Sequence, residues 1–219
     1  LVGNETADAE DVLRALTITG QAGVTILAGL QGDQTIPRAT GTSTGYWLST
    51  ESSELTQSQA VLGQLSLTPK HAGAFVKFSR LLALQSSAEK FIRRELTSTI
   101  RDLIDNAVVT GTGSAGQPTG ILNTVGIGTQ SGTSLAWAGI VAMQKNAALA
   151  NAEPTAWVAT PAVRELLQKR EKAAGSGLVW DDDKVSGKPA FATTAMPSAT
   201  LVTADWSQAV LAFWGEGVT

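Results

Sequence analysis

The chain has 219 residues, 43% of them hydrophobic, which is enough to bury the core of one large domain or two small ones. Its 16 basic and 19 acidic residues give a formal net charge of -3, and this lack of a cationic surplus argues against dedicated nucleic-acid recognition. Without cysteine, the chain can form no disulfide, thiolate metal site or cysteine nucleophile. The sequence also lacks an apolar run of the roughly 20 residues that a membrane helix needs, so no membrane partner is expected.

The first 43 residues are predicted to form an extended arm with about one helical turn, because their apolar residues show no sustained period. Within this arm, the stretch VTIL at residues 24–27 has the β-branched character of a pairing strand. The sequence opens on Leu1 rather than on a methionine, so we expect upstream residues to have been removed.

Residues 44–79 carry the pattern of a long hairpin. One strand is predicted over GYWLSTE, and a second over LGQLSL and the apolar run from Ala74 to Phe78. The stretch between them, SSELTQSQA, is polar and would form the tip. Because isolated hairpins are marginally stable in water, we expect contacts with another molecule to stabilise this ribbon.

The stretch SSAEKFIRRELTSTIRDLIDNAVVTG predicts a helix over residues 87–110 and gives the strongest local signal in the sequence. Ser86 and Glu89 form a capping box at its start, and Gly111 stands where a C-terminal glycine belongs. At about 1.5 Å per residue, this helix is on the order of 36 Å long. One of its faces carries an apolar stripe, made of Ile92, Leu96, Ile100, Leu103, Ile104 and Ala107.

The glycines that follow this helix, Gly111, Gly113 and Gly116, have the spacing G-x-G-x-x-G. A dinucleotide-binding loop with this spacing needs a strand before it and a helix directly after it. Here the glycines follow a helix, and the residues from Pro118 onward lack a helix start. We therefore interpret them as a helix C-cap running into a tight turn at Pro118, and we expect no cofactor.

From residue 131 onward, helix and strand patterns alternate. SLAWAGIVAMQKNAALANAE predicts an amphipathic helix, AWVAT a buried strand, and PAVRELLQKREK a helix with Thr160 as N-cap and Pro161 at its first position. The polar loop AAGSGLVWDDDKVSG separates this helix from three strand candidates, PAFATT, ATLVTA and AVLAFWG. The predicted fold class is therefore α+β.

Ser87 and Lys90 spell S-x-x-K at a helix start, where penicillin-recognising enzymes hold their nucleophile and base. The accompanying S-D-N, Y-x-N and K-T-G motifs are missing, and the capping pattern already explains serines at this position. A serine hydrolase that uses Ser87 and Lys90 is therefore the weaker interpretation.

Other polar groups also lack a complete catalytic or metal pattern. His71 is the only histidine, which excludes a conventional zinc site. The run from Asp181 to Asp183 lacks the alternating spacing of calcium ligands and is interpreted as a solvated loop. Glu51 and Glu54 could be imagined as a glycosidase pair, but a mobile polar hairpin tip is a poor place for such chemistry. We predict no catalytic, cofactor-binding or metal-binding residues.

The order of these elements resembles the major capsid proteins of tailed bacteriophages, the Hong Kong 97 type. The resemblance covers the chain from about Tyr46 onward. It is carried by the stretch from Leu65 to Leu122, where a strand and a long helix lead to a G-x-G loop that closes in P-x-G-I, here Pro118, Gly120 and Ile121. Downstream, WVATPAVRELLQKREKAAGSGLVW is similar to the family's strand, helix and glycine loop, and VSGKPAFATTAMP to its G-x-P-x-x-x-T-x-x-M-P segment.

This resemblance implies an α+β fold of the Hong Kong 97 type with four parts. An N-terminal arm would span residues 1–43, an extended hairpin loop 44–69, a peripheral domain 70–133 with a spine helix over 87–110, and an axial domain 134–219. The implied role is structural rather than enzymatic. The chain would be a subunit of a phage or prophage icosahedral capsid, self-assembling into hexamers and pentamers around packaged double-stranded DNA that it contacts non-specifically. Portal, scaffolding or protease proteins are implied partners, and the implied location is the virion, assembled in the bacterial host cytoplasm.

In the family, the extended loop reaches over a neighbouring subunit, and some members weld it there by an isopeptide bond from a loop lysine. This chain has no lysine between Tyr46 and Pro69, so no crosslink is expected. The resemblance makes residues of the loop assembly candidates and residues of the glycine turn fold determinants. The assembly candidates are Trp47, Glu51 and Glu54, and the fold determinants are Gly111, Gly113, Pro118 and Gly120.

The family normally continues beyond AVLAFWGEGVT with strands that return to the peripheral domain. The axial domain is therefore expected to be truncated, and an open sheet edge to be capped by the N-terminal arm or by a neighbouring molecule. An encapsulin-like nanocompartment shell that encloses an enzyme is an open alternative, because it shares the fold. The neighbouring genes would distinguish the two, and burial of Ser87 would exclude the hydrolase.

Overall fold

Helices and short strands alternate along the chain, so the predicted α+β class is confirmed. The computed structural model describes residues 18–39, 61–79 and 88–215, together with residues 41, 45 and 47. The helices are α1 (Ile18–Ala22), α2 (Ala88–Thr110), α3 (Trp137–Leu149) and α4 (Pro161–Gln168), with 3-10 helices at Ile121–Asn123 and Trp206–Gln208. The strands are β1 (Thr25–Leu30), β2 (Gln34–Ala39), β3 (Leu62–Leu67), β4 (Ala156–Ala159), β5 (Trp180–Asp181), β6 (Lys184–Val185), β7 (Lys188–Ala192), β8 (Leu201–Ala204) and β9 (Val210–Trp214).

The ribbon is an antiparallel pair of β2 and β3, in which Gln34 lies opposite Leu67 and Ala39 opposite Leu62. Its first strand therefore lies within residues 1–43, which were predicted to form the arm. Most of GYWLSTE, the predicted first strand, lies outside the described residues. The strand β2 was not predicted because it contains Pro37. Proline donates no hydrogen bond to a neighbouring strand, so its presence in a sequence argues against a strand. A two-stranded ribbon leaves one edge of each strand open, and an open edge accommodates a proline.

The segment from residue 68 to residue 79 has no regular secondary structure, so the strand predicted from Ala74 to Phe78 is wrong. Pro69 and Gly73 interrupt the strand pattern here. The side chain of Phe75 is 81% exposed and that of Phe78 is 52% exposed. The apolar side chains of residues 74–78 are therefore not part of a sheet within the described part of the chain.

The helix predicted over residues 87–110 is present as α2, which has 23 residues and ends at Thr110 as predicted; we keep the name spine helix for it. Its apolar stripe is only partly covered: Ile100 and Ile104 are half-buried, and Leu103 is 42% exposed. The main contacts of α2 with other described elements are with α1 and with the 3-10 helix Ile121–Asn123. Among the described residues, the apolar stripe is therefore only partly buried, and the residue of α2 that joins a hydrophobic core is Val109.

Five short strands in the second half form one mixed sheet, in the order β5-β6-β7-β4-β8. The central strand β4 runs parallel to β7 and antiparallel to β8. All four residues of β4 are buried, because both faces of the sheet are covered. The helix α4 begins directly after β4, with Thr160 at the N-cap and Pro161 in the first turn as predicted, although the Thr160 side chain makes no capping hydrogen bond.

The two faces of this sheet belong to two different cores, because alternate residues of a strand point to opposite faces. We call them the first and the second core. The first core includes Trp157 and Ala159 of β4, and also residues from α3, α4 and the β5–β6 hairpin. The second core joins the sheet to the start of the described chain and to the end of the spine helix. Its buried members are Ala22, Val24, Val109, Ala156, Val158, Met196, Val202 and Trp206.

The strand predicted from VTIL is present as β1, but its partner is β9. The two strands run parallel, with Thr25 opposite Val210 and Leu27 opposite Ala212. The indole Nε1 of Trp214 donates a hydrogen bond to the Gly32 carbonyl oxygen, 2.6 Å away. Although β9 falls within residues 134–219, it does not join the five-stranded sheet of that region.

Candidate assembly surface and glycine turn

Of the polar groups that the sequence suggested for catalysis, the structure describes Lys90 and His71, and both are exposed. Lys90 lies on α2 and His71 in the segment 68–79, whereas Ser87 lies outside the described residues. Within the ranges that the structure describes, no three His, Cys, Asp or Glu side chains gather as a metal site would require. The same ranges contain no helix that is long and apolar enough to span a bilayer.

The three aspartates form the tip of the β5–β6 hairpin, where Trp180 pairs with Val185 and Asp181 with Lys184. Asp182 and Asp183 have positive φ angles of 46° and 53°, which are those of the two central residues in a type I′ turn. The Asp183 carboxylate accepts a hydrogen bond from Arg164, 2.8 Å away, and the Arg164 guanidinium lies 5.6 Å from the Trp180 ring. These contacts fix the hairpin to α4 and give Asp183 a structural role.

The glycine turn, residues 111–120, folds back on itself directly after the spine helix. The Gly111 amide donates to the Ala107 carbonyl at 3.0 Å, and the Gly113 amide donates to the Pro118 carbonyl at 3.1 Å. Thr112 and Thr119 form an antiparallel bridge between these contacts. The amides of Gly111 and Gly113 are therefore already used within the turn, which supports the C-cap interpretation over phosphate binding.

Gly111 and Gly120 have to be glycines because the two backbones touch. A Cβ atom on Gly111 would lie 2.2 Å from the Pro118 carbonyl oxygen, and one on Gly120 would lie 2.5 Å from the Gly111 nitrogen. Both distances are shorter than any side chain tolerates. The Gly120 amide also donates to the Gly111 carbonyl at 2.8 Å, which closes the crossing.

Sequence analysis missed Asn123, whose side chain reaches back to the end of the spine helix. Its Nδ2 group donates to the carbonyls of Thr110 and Gly111, both at 2.9 Å. These carbonyls belong to the helix end, which has no intrahelical donors left for them. The signal in the sequence is the short polar side chain directly after the apolar pair Ile121 and Leu122.

The ribbon exposes apolar side chains to solvent. Val61 is 60% exposed, Leu62 is 72% exposed, and Trp47 beyond the ribbon is fully exposed. Glu51 and Glu54 lie outside the described residues. An assembly surface at Trp47, Glu51 and Glu54 therefore stays a prediction, and the ribbon beside it has the exposed apolar groups that a neighbouring molecule could cover.

One surface ion pair connects the loop before β4 to β7. Lys188 donates to the Glu153 carboxylate at 2.6 Å. This hydrogen bond, together with the Lys188 charge, lowers the pKa of Glu153. On α4, Lys169 acts on the pKa of Glu165 in the same way from a position four residues away.

The fold that contains the long helix, the ribbon and the mixed sheet is similar to that of solved phage and capsid structures. The Microbacterium phage Oxtober96 structure matches with a TM-score of 0.72 at 14% identity, covering 90% of this chain and 72% of that one. The capsid of the native GTA particle matches with a TM-score of 0.66 at 15% identity, covering 85% and 72%.

The amino-acid sequence carries the relationship further. Residues 5–219 match the model of the Phage capsid family. The chain is also 32% identical over 211 residues to the major capsid protein of Halomonas phage phiHAP-1. The chain belongs to the phage capsid family. The match covers 94% of this chain and 35% of that relative, so the chain spans about a third of the relative's length.

Proposed function

We propose that this chain is a structural part of a phage or prophage major capsid protein, not an enzyme. In this proposal its subunits assemble into hexamers and pentamers and build the icosahedral shell of the virion around packaged double-stranded DNA. The observation that carries the proposal is the family match along residues 5–219, together with 32% identity to a major capsid protein over 94% of the chain.

The packing of the described residues supports this proposal. Leu62 and Leu65 of the ribbon are exposed, and the main contacts of β2 and β3 in the described part of the chain are with each other. A two-stranded ribbon gains little stability alone, and a neighbouring subunit would supply the missing contacts. Closed symmetric rings are the usual way in which subunits satisfy surfaces of this head-to-tail kind.

The division of the subunit is part of the same proposal. Residues 1–43 serve as the arm, 44–69 as the extended loop, 70–133 as the peripheral domain and 134–219 as the axial domain. The first strand of the extended loop is β2, so the loop begins within residues 1–43, the range proposed for the arm. Trp47, Glu51 and Glu54 are its assembly residues, and they contact the adjacent subunit of a capsomer.

The net charge of -3 suits a container for DNA better than a DNA-binding protein. Tight phosphate contacts by many lysines and arginines would oppose both packaging and release of the genome. We therefore propose non-specific contact with the packaged DNA. Portal, scaffolding and protease proteins complete the set of proposed partners, and assembly takes place in the cytoplasm of the bacterial host.

Electron microscopy and analytical sedimentation of the full-length protein that contains this chain test this function. We expect rings or closed shells under assembly conditions. The variant Trp47→Ser should lower the yield of shells while the subunit keeps its melting temperature, because Trp47 is fully exposed. The matched control is Val125→Ser, which replaces another almost fully exposed apolar residue outside the extended loop.

Two results would contradict the proposal. A wild-type protein that sediments as a monomer under every assembly condition would exclude a shell subunit. Equal shell yields from Trp47→Ser and wild type would leave the shell in place but exclude Trp47 as an assembly residue.

A further inference from the structure

The end of the spine helix is held by one side chain from outside the helix. Asn123 Nδ2 donates to the carbonyls of Thr110 and Gly111, at 2.9 Å each. An amide nitrogen carries two hydrogens, so a single Asn side chain can satisfy two carbonyls at once. The Gly120 amide adds a third bond from the same segment, to the Gly111 carbonyl at 2.8 Å.

The segment that carries Asn123 is itself fixed to the sheet. Its neighbours Ile121 and Leu122 pack against the second core, whose buried members include Trp206 and Val158. Val109, the residue before the last one of the helix, is 3% exposed in the same core. Helix end, 3-10 helix and sheet therefore meet at one joint, made of residues 107–123.

A small change of the helix angle at this joint would move the other end of the helix by a large distance. The residue of α2 that joins a described hydrophobic core is Val109, near its C-terminal end, whereas Lys90, Phe91 and Arg94 at the other end are exposed. A helix of 23 residues is about 34 Å long, so a tilt of about 10° at the joint would displace its first turn by about 6 Å.

We propose that Asn123 is the positioning residue that sets the direction of the spine helix relative to the five-stranded sheet. Because curvature in a shell is the sum of angles within and between subunits, this side chain also determines how uniformly the shells close. The second part of the inference rests on the proposed function, and the first part does not.

The variants Asn123→Ala and Asn123→Asp test the first part in unassembled subunits. Alanine removes both donors, and aspartate places carboxylate oxygens against two carbonyl oxygens, which repel it. The chain has no cysteine, so spin labels can be attached at Thr99→Cys on α2 and Ser198→Cys before β8 without background. Both of these positions are exposed.

Pulsed electron resonance then measures the distance between helix and sheet. We expect one narrow distribution for the labelled wild type, a broadened one for Asn123→Ala, and a broader or displaced one for Asn123→Asp. The control is Val185→Ala, which leaves a cavity in the first core, away from the joint. It should lower the melting temperature but keep the narrow distribution.

Shell assembly by the same variants tests the second part. We expect a wider range of shell diameters from both Asn123 variants and a wild-type range from Val185→Ala. Distance distributions in both Asn123 variants equal to the wild type would overturn the role of Asn123 in positioning, whether or not shells form. Altered distances with an unchanged range of diameters would overturn the role in shell closure alone. Failure of the wild type to form any shell would contradict the proposed function, and the distance measurement would still decide the role of Asn123.

Discussion

Three tryptophans are fully buried, and they differ in what their indole nitrogens contact. Trp206 Nε1 donates to the Ala156 carbonyl at 3.0 Å. In the described part of the chain, the buried Nε1 atoms of Trp157 and Trp180 have no hydrogen-bond partner. An unsatisfied buried donor is costly, whereas a satisfied one stabilises the fold by a modest amount. The indole N–H group therefore stabilises the fold at Trp206 and destabilises it at Trp157 and Trp180.

This contrast predicts unequal effects of one substitution. Trp206→Phe should lower the free energy of unfolding by about 1–3 kcal/mol more than Trp157→Phe does, because the first removes a buried hydrogen bond that is made, whereas the second removes a buried donor that has no partner in the described part of the chain. Both changes remove the same atoms, so the loss of volume largely cancels. Urea unfolding of the subunit measures the difference. Equal losses for the two variants would contradict the contact pattern.

The pair of Glu153 and Lys188 makes a second prediction for single residues. Its hydrogen bond lowers the pKa of Glu153, so the pair stabilises the fold above the unfolded pKa of Glu and loses this effect as pH falls through the folded value. In Lys188→Met, we expect the pKa of Glu153 to rise towards its ordinary range. Carboxyl titration by NMR measures it. Glu165 is the internal control, because its partner Lys169 is unchanged and its lowered pKa should persist.

At the scale of elements, the glycine crossing predicts a steric effect. Gly120→Ala should destabilise the subunit by roughly 1–3 kcal/mol, because its Cβ atom would lie 2.5 Å from the Gly111 nitrogen and 2.7 Å from the Val109 carbonyl oxygen. The matched control is Gly132→Ala, since a Cβ at Gly132 meets nothing within 4 Å. Thermal unfolding compares the two, and a loss at Gly132 as large as that at Gly120 would argue against the crossing.

Elements with strong local signals were predictable from sequence. The spine helix has an apolar period, a capping pattern and Gly111 after its last turn, and it ends at Thr110 as predicted. The helix after β4 was equally clear, because Pro161 and Thr160 mark its start. Local chemistry therefore marks the end of the spine helix and the start of α4. The end of α4 was predicted wrongly, because the helix stops at Gln168, four residues before Lys172, the last residue of the predicted helix.

Some of the elements that depend on distant partners were not predictable. The ribbon strand β2 contains Pro37, and only its pairing with β3 makes it a strand. The run from Ala74 to Phe78 has strand composition, but no described strand pairs with it. In the glycine turn, the sequence motif identified Gly111 and Gly120. It did not identify Asn123, because the two hydrogen bonds of this side chain form only after the chain has turned back towards the helix end.

At the scale of the whole molecule, composition predicts how shells come apart. The stretch between Tyr46 and Pro69, which includes the extended loop, contains no lysine, so it offers no amine for an isopeptide bond. Assembled shells should therefore dissociate into single chains in denaturing gel electrophoresis. Shells with an added loop lysine, such as Gln57→Lys, are the comparison. Ladders of covalent multimers in the wild type would show that another lysine supplies the bond.

The parallel pairing of β1 with β9 ties the fold to the timetable of protein synthesis. Thr25 leaves the ribosome long before its partner Val210, and at 5–20 residues per second the interval is on the order of 10–40 s. During this time the nascent chain carries β1 with an unpaired edge, a state open to incorrect pairing or to chaperones. The pairing of β1 with β9 therefore has to wait until Trp214 has been synthesised, and this part of the fold forms only after that point.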